Sequence, residues 1–168
     1  MPSNPVFSPV PGIEISLSAQ TLTLFPGDSS TPLSYPVSTA LKGPGEGQST
    51  GCTPRGRHYV RAMVGGGLPL NSVFIARRPT GEVYSERLAR QFPERDWILS
   101  RIIWLCGLES GKNRGAGVDS FRRFIYIHGT PDTEPMGVPR SHGCIRMRNT
   151  DVAELYDRVW PGIPVTIR

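Results

Sequence analysis

The chain has 168 residues, of which 38% are hydrophobic, so it can bury one sizeable core but is too short for two comfortable domains. Its 19 glycines and 17 prolines argue against a mainly helical protein and predict short strands joined by turns, hence a mainly β fold. The formal net charge of +5 comes mostly from arginines spread among acidic residues, a pattern that argues against nucleic-acid binding.

Cysteine spacing and the N-terminal residues bear on the cellular compartment. Cys52, Cys106 and Cys144 lie far apart and cannot all pair, so they give no sign of a disulfide framework. Residues 1–9 lack the basic and apolar regions of an export signal, and no later segment reaches membrane-spanning length. The sequence as written predicts a cytoplasmic protein, or a periplasmic one if an export leader has been removed, and leaves the oligomeric state unknown.

The first third of the chain predicts an arm, three strands and a loop. Residues 1–12 are rich in proline and serine and predict a flexible arm, followed by a single domain over residues 13–168. Apolar alternation predicts a hairpin over residues 13–24 and a third strand over 33–39. Four glycines within residues 41–53 predict a mobile loop, which either flanks the functional site or is a solvated connector.

The middle of the chain predicts three further strands, over residues 57–64, 72–76 and 97–105. Residues 81–95 carry charges around a few apolar side chains and predict a short irregular helix that ends before Pro93. Cys106 follows an apolar run and is interpreted as a buried small hydrophobe. A second glycine-rich loop is expected over residues 109–119.

Residues 124–128 form an apolar, β-branched and aromatic run that ends in histidine, which predicts a buried strand carrying His128 at its end. Glycines and prolines between Gly129 and Pro139 exclude regular structure up to Ser141, so the chain must loop and return. Such a loop can bring Cys144 back beside His128.

Cys144 is a candidate nucleophile and His128 its candidate base. A thiol attacks as thiolate, and a nearby imidazole that takes its proton raises the reactive fraction. Gly143 lets the backbone approach a ligand closely, and the amides around Gly143 and Cys144 are candidates for stabilising an oxyanion. Tyr126 is expected in the core, and His58 belongs to a strand remote from this motif.

His128-Gly129, the loop, and Ser-His-Gly-Cys-Ile-Arg-Met at residues 141–147 resemble the signature of the L,D-transpeptidase catalytic domain. Members of that family are cysteine enzymes that act on peptidoglycan stem peptides. Residues 13–20, 35–39 and 53–56 also resemble the opening strands of the domain. The resemblance implies a β-sandwich-like L,D-transpeptidase catalytic fold with one amphipathic helix near the C-terminus.

When the roles of the family's motif residues are transferred to the matching positions of this sequence, the resemblance implies that Cys144 is the nucleophile and His128 its base. It also implies that the Gly129 carbonyl orients the imidazole. It makes Ser141 and His142 supporting residues, with His142 favoured for support over chemistry.

Arg146 departs from the family pattern, because many members have asparagine two residues after the cysteine. Its guanidinium can bind a substrate carboxylate through a bidentate fork, or pair with an internal acid such as Asp151. The sequence does not separate these two roles.

The residues after the motif predict the amphipathic helix. Apolar side chains recur at helical spacing at Val152, Leu155, Tyr156 and Val159. Asn149 or Thr150 is the expected N-cap, Pro161 follows the end, and a final strand is expected over residues 164–167.

The resemblance implies that Cys144 attacks the carbonyl of the L-configured third residue of a tetrapeptide stem, expels D-alanine and becomes a thioester. If an amine of a neighbouring stem takes the acyl group, the protein is an L,D-transpeptidase. If water takes it, the protein is an L,D-carboxypeptidase that serves muropeptide recycling. The resemblance also predicts acylation of Cys144 by carbapenems, and it requires no metal or organic cofactor.

Two other classes of function remain open on the sequence. His128, His142 and Cys144 are all possible zinc ligands, although no Cys-x-x-Cys or His-x-x-x-His pair accompanies them. A non-enzymatic module that binds the cell wall is the other alternative.

Overall fold

The computed structural model describes residues 10–168. The strands in this range are β1 (Gly12–Ser16), β2 (Thr21–Phe25), β3 (Leu33–Pro36), β4 (Gly56–Val64), β5 (Ser72–Ile75), β6 (Arg78–Val83), β7 (Ile98–Gly107), β8 (Tyr126–Gly129), β9 (Ile145–Met147) and β10 (Pro164–Ile167). The helices are α1 (Glu86–Gln91) and α2 (Asn149–Arg158). The mainly β fold predicted from composition is confirmed, as is the amphipathic helix near the C-terminus.

The strands form one branched sheet in the order β3-β2-β1-β10-β4-β7-β5-β6. The branch lies at β7, where β8 and then β9 extend from the edge opposite β4 and β5. Most neighbours are antiparallel, but β1 pairs with β10 and β8 pairs with β9 in parallel. The parallel β8–β9 pair requires the long excursion between them, because parallel neighbours cannot be joined by a tight turn.

Two apolar clusters lie on opposite faces of the β7–β8 region. The larger one joins Ile103 and Ile127 to side chains of β1, β2 and β10, and α2 covers it with Val152 and Leu155. The smaller one is built on Phe74, Ile102 and Tyr126, and the side chain of Cys144 packs against it. The faces separate in this way because successive side chains along a strand point to opposite sides. Tyr126 is therefore a core residue, as expected.

The predicted N-terminal hairpin, the strands at 57–64, 72–76 and 97–105 and the final strand are all present, with shifts at their ends. The predicted strand at 33–39 ends at Pro36 instead, and the chain continues with isolated bridges that pair Ser38 with Arg146 and Ala40 with Ser141. Of the predicted arm, residues 1–9 lie outside the described residues, and Gly12 already belongs to β1.

Two strands were not predicted. In β6 most side chains are exposed and no apolar alternation marks the strand. It forms because Ala76 and Arg77 both adopt positive φ, the turn that joins two antiparallel strands tightly. In β9 only three residues form the strand, which is too short for any periodicity to reveal.

The predicted N-cap of α2 is wrong. Arg148 occupies that position and makes no capping side-chain hydrogen bond. The Asn149 side chain makes tertiary contacts instead: its amide donates to the Thr130 carbonyl at 2.8 Å, and its oxygen accepts from Ser100 at 2.5 Å. Cys106 is also less buried than expected, since it lies half-exposed near the end of β7.

Candidate active site

His128 is almost completely buried in β8, with 1% of its surface exposed. Its Nδ1 donates a hydrogen bond to the Gly129 carbonyl at 2.6 Å. A carbonyl can only accept, so this bond assigns the ring proton to Nδ1 and leaves the lone pair on Nε2. Burial lowers the pKa of His128 below its usual 6.5. The imidazole is therefore neutral near pH 7 and has the tautomer of a base.

Cys144 lies in the turn that leads into β9, and its side chain is half-buried. Its thiol donates to the Phe124 carbonyl at 3.2 Å, and its sulfur accepts from the Tyr126 amide at 3.4 Å. Phe124 turns its carbonyl toward the thiol from a left-handed backbone conformation, with φ of 58°. Burial raises the pKa of Cys144 to about 12. In the resting state the thiol and the imidazole are consequently both neutral.

The parallel register brings these two residues to the same face. Ile127 pairs with Ile145 and His128 pairs with Arg146, so Cys144 lies two residues before the partner of His128. That offset corresponds to about 8 Å between the Cα atoms, from the strand spacing and the rise per residue. In the described part of the chain, no hydrogen bond joins the thiol to the imidazole. The thiol proton is donated to the Phe124 carbonyl, so it must leave that acceptor before it can pass to His128.

Ser141 organises the turn that holds Cys144. Its hydroxyl accepts from the Gly143 amide at 3.2 Å and donates to the Cys144 carbonyl at 2.5 Å. Gly143 has φ of 133°, and a Cβ added there would lie 3.3 Å from the Cys52 carbonyl oxygen. Glycine is therefore favoured by its conformation, and a Cβ would also press on the Cys52 carbonyl. Of the two amides named as oxyanion donors, that of Gly143 is occupied by Ser141.

Arg146 is buried and paired with two acids. Its Nη2 lies 3.3 Å from Asp96 Oδ1 and its Nη1 lies 3.7 Å from Glu134 Oε2. Of the two roles left open by the sequence, the structure contains the pairing with internal acids, although Asp151 is not one of those acids. Sequence reasoning missed Asp96 and Glu134, because each lies in an irregular segment with no local signal that links it to the motif.

His142 is largely exposed, with 77% of its side chain accessible, and lies 3.8 Å from Asp96 Oδ2. It is shared by two cavities that flank the motif. One, of about 260 Å³, is lined by charged residues that include Asp96, Glu134 and Arg146. The other, of about 280 Å³, is lined by Ser49, Arg122, Phe124 and neighbours. A larger cavity of about 390 Å³ lies elsewhere, around Phe25 and Trp160, and contains none of the predicted site residues.

The glycine-rich loop over residues 41–53 flanks this site, which was one of its two predicted roles. Arg123 holds the loop in place: its Nη2 donates to the Cys52 carbonyl at 2.6 Å and its Nη1 to the Glu46 carbonyl at 3.1 Å. A bridge between Pro44 and Thr53 closes the loop on itself. These contacts fix residues that were expected to be mobile.

Two other sequence hypotheses concern residues around or outside this site. Among residues 10–168, no three His, Cys, Asp or Glu side chains come together as metal ligands do. His58 is fully buried, with its Nε2 2.8 Å from the Ser120 hydroxyl, and burial lowers its pKa. No helix in the part of the chain that the structure describes has the length and apolar character to cross a membrane.

Comparison with known proteins extends the resemblance from the motif to nearly the whole chain. The family model described as YkuD, the L,D-transpeptidase catalytic domain, matches residues 11–167. No curated protein matches the chain in sequence.

Solved structures with the same fold include several L,D-transpeptidases. One from Mycobacterium smegmatis is 21% identical over 94% of this chain and 58% of that one, with a TM-score of 0.55. L,D-transpeptidase 3 from Mycobacterium tuberculosis is 20% identical over 95% of this chain and 61% of that one, with a TM-score of 0.54. The latter is also known with a faropenem-derived adduct. This chain spans about three fifths of their length. The predicted catalytic fold is thus confirmed.

Proposed function

Because the chain belongs to the L,D-transpeptidase catalytic-domain family of enzymes, we propose that it transfers the acyl group of peptidoglycan stem peptides through a thioester on Cys144. The observation that carries this proposal is the position of Cys144 and His128 on one face of the β8–β9 pair, with Cys144 two residues after His142, which lines two cavities. Residues 13–168 act as a single catalytic domain in this proposal.

The first half-reaction forms the acyl-enzyme. The Cys144 sulfur attacks the carbonyl carbon of the L-configured third residue of a tetrapeptide stem while His128 Nε2 takes the thiol proton. The carbonyl electrons move onto oxygen, and a backbone amide stabilises the resulting oxyanion. When the carbonyl re-forms, the C–N bond breaks and the amine of D-alanine takes the proton from His128. The product is a thioester, and no metal or organic cofactor takes part.

Deprotonation accompanies attack in this mechanism and does not precede it. Burial raises the pKa of Cys144 to about 12 and lowers the pKa of His128, so the charged thiolate–imidazolium pair is disfavoured in the resting enzyme. The Gly129 carbonyl keeps the proton on Nδ1, which directs the basic Nε2 to the reaction. Ser141 supports the nucleophile by fixing the turn around it.

The acceptor in the second half-reaction is an amine of a neighbouring stem. The two cavities on either side of His142 support transfer, because a donor and an acceptor peptide need separate space at one thioester. Charge supports the same assignment. Three acids and two arginines line the first cavity, which leaves an excess of negative charge for an acceptor ammonium, whereas Arg122 and Arg123 in the other cavity suit the donor's terminal carboxylate. Arg146 contributes to substrate binding by holding Asp96 at the cavity wall.

Water as acceptor gives the alternative, an L,D-carboxypeptidase of muropeptide recycling. The part of Cys144 that stays exposed favours this candidate, because water can approach a thioester there. Transfer would place the working protein with the cell wall, and recycling would place it in the cytoplasm.

The test is to incubate the protein with a disaccharide tetrapeptide and to follow D-alanine release and product mass. Dimer formation or exchange of D-alanine for another D-amino acid supports transfer, whereas tripeptide alone supports hydrolysis. Acylation by imipenem, read as a mass shift on the peptide that contains Cys144, tests the thioester step by itself.

Two variants control this experiment. Cys144→Ala should lose all D-alanine release and all acylation. Cys106→Ala, which removes a thiol from β7 outside the site, should retain both. If Cys144→Ala releases D-alanine as the unchanged protein does, the enzymatic proposal is wrong.

A further inference from the structure

The turn at residues 141–144 leaves the Cys144 amide free to act in catalysis. The Gly143 amide donates to the Ser141 hydroxyl, and the Cys144 carbonyl accepts from that same hydroxyl. The Gly143 carbonyl accepts from the Thr53 hydroxyl at 2.9 Å. Outside the strand ladders, no hydrogen bond of the described residues engages the Cys144 amide. That amide is therefore the donor available to an oxyanion on the acyl group bound to its own sulfur.

The direction of the Cys144 amide follows from its peptide plane. The Gly143 carbonyl and the Cys144 N–H belong to one trans peptide and point in opposite directions. Thr53 binds the carbonyl end of this peptide, so the N–H end points away from Thr53. Because residue 143 is glycine, with φ of 133°, the plane of the Gly143–Cys144 peptide can rotate unless a contact such as the Thr53 hydrogen bond holds it.

The Thr53 hydroxyl is itself fixed in direction. Thr53 is fully buried, and its Oγ1 accepts from the Ala40 amide at 3.0 Å. A hydroxyl has one proton. With the Ala40 amide supplying one hydrogen bond, that proton is committed to the Gly143 carbonyl. The backbone of Thr53 is held as well, by hydrogen bonds to the carbonyl of Gly43 and from the amide of Gly45.

We infer that Thr53 is a positioning residue for catalysis, which aims the Cys144 amide at the oxyanion by holding the carbonyl of the same peptide. The inference rests on the proposed function, since it concerns the step in which the Cys144 sulfur bonds to a carbonyl carbon and the carbonyl electrons move to oxygen. Thr53 lies 91 positions before Cys144 in the chain, and it touches no reacting atom.

The test compares two reactions of the same sulfur. Imipenem acylates it by attack at the β-lactam carbonyl, which opens the C–N bond and passes through an oxyanion. Iodoacetamide alkylates it by displacement of iodide at a saturated carbon, without an oxyanion. Thr53→Val, which keeps the shape and removes the hydroxyl, should slow acylation about tenfold or more. Its alkylation rate should stay within about twofold, because the Phe124 carbonyl and the Tyr126 amide that hydrogen-bond the thiol are retained.

Two matched variants separate positioning from loss of structure. Thr53→Ser keeps the hydroxyl and should restore acylation. Thr50→Val removes an exposed hydroxyl of the same loop, bound only within that loop, and should leave both rates unchanged. If Thr53→Val does not fold, the ratio of acylation to alkylation is measured on Thr53→Ala, which also lacks the hydroxyl.

The outcomes distinguish the inference from the proposed function. Equal acylation of Thr53→Val and the unchanged protein, or an equal fall in acylation and alkylation, overturns the role of Thr53 alone. If the unchanged protein is alkylated at Cys144 but is acylated neither by imipenem nor by tetrapeptide, the proposed function fails and the inference fails with it.

Discussion

The neutral resting pair makes a quantitative prediction about the thiol of Cys144. With a pKa of about 12, about one thiol in ten thousand is ionised at pH 8. An unperturbed cysteine with a pKa of about 8.5 is about one quarter ionised at that pH. A thiolate of higher pKa is intrinsically more nucleophilic, by roughly 40-fold for this difference. Iodoacetamide should therefore alkylate Cys144 roughly 60-fold more slowly than a free cysteine peptide at pH 8.

The pH dependence sharpens this prediction. The free peptide approaches its plateau by pH 10 while the reactive fraction of Cys144 still rises tenfold per unit, so the difference should shrink to about twofold there. The measurement is the alkylation rate of the Cys144 peptide by mass spectrometry from pH 6 to 10, beside the reference peptide. His128→Asn should leave this profile nearly unchanged and slow D-alanine release by about 10²–10⁴-fold.

One result would refute the reasoning. If Cys144 reacts faster than the reference peptide at pH 7, with a plateau already reached there, then a preformed thiolate–imidazolium pair exists. In that case burial does not dominate the pKa of the thiol, and proton transfer precedes attack.

Two further predictions concern charge. Burial lowers the pKa values of His58 and His128, so these histidines bind protons more readily in the unfolded chain than in the folded one. The free energy of unfolding should therefore fall as the pH drops below about 6.5. Denaturant titrations from pH 8 to pH 5 measure this fall. The charge of Arg146 lowers the pKa of His128, and the charge of Asp96 raises it. In the pH profile of kcat/KM for D-alanine release, the fall on the acid side should therefore move to higher pH in Arg146→Gln. It should move to lower pH in Asp96→Asn. Coincident limbs in the two variants would rule out this influence.

Local patterns in the sequence were sufficient for most of the secondary structure. The alternation from Ile13 to Leu24 gave the hairpin because one face of β1 and β2 is buried and the other is not. The spacing of Val152 and Leu155 gave α2 and its buried face for the same reason. Where burial is absent or the element is very short, as in β6 and β9, no such pattern exists and the strands were missed.

The N-cap of α2 shows a different limit. Asn149 has the side chain preferred at a cap, and local preference alone placed it there. Its amide instead binds the carbonyl of Thr130, in the excursion between β8 and β9. A tertiary hydrogen bond thus overrides the local preference, and nothing near Asn149 in the chain reveals its partner.

The candidate site also has one part that the sequence predicts and another that it does not. A strand that ends in histidine, followed by a loop that cannot form regular structure, was enough to predict that His128 and Cys144 approach each other. The resting partner of the thiol could not be predicted, because it is a backbone carbonyl, that of Phe124, and every residue has one.

The sequence by itself determined a mainly β chain and the family it resembles, and it predicted the pair of Cys144 and His128, because these depend on patterns within a few residues and on one short motif. Only the tertiary structure decided which distant groups surround that pair. Asp96 reaches Arg146 across 50 positions and Thr53 reaches Gly143 across 90. The physical reason is that such contacts depend on how the sheet branches at β7 and on which loops pack over its end. Neither feature can be predicted from residues that are neighbours in the sequence.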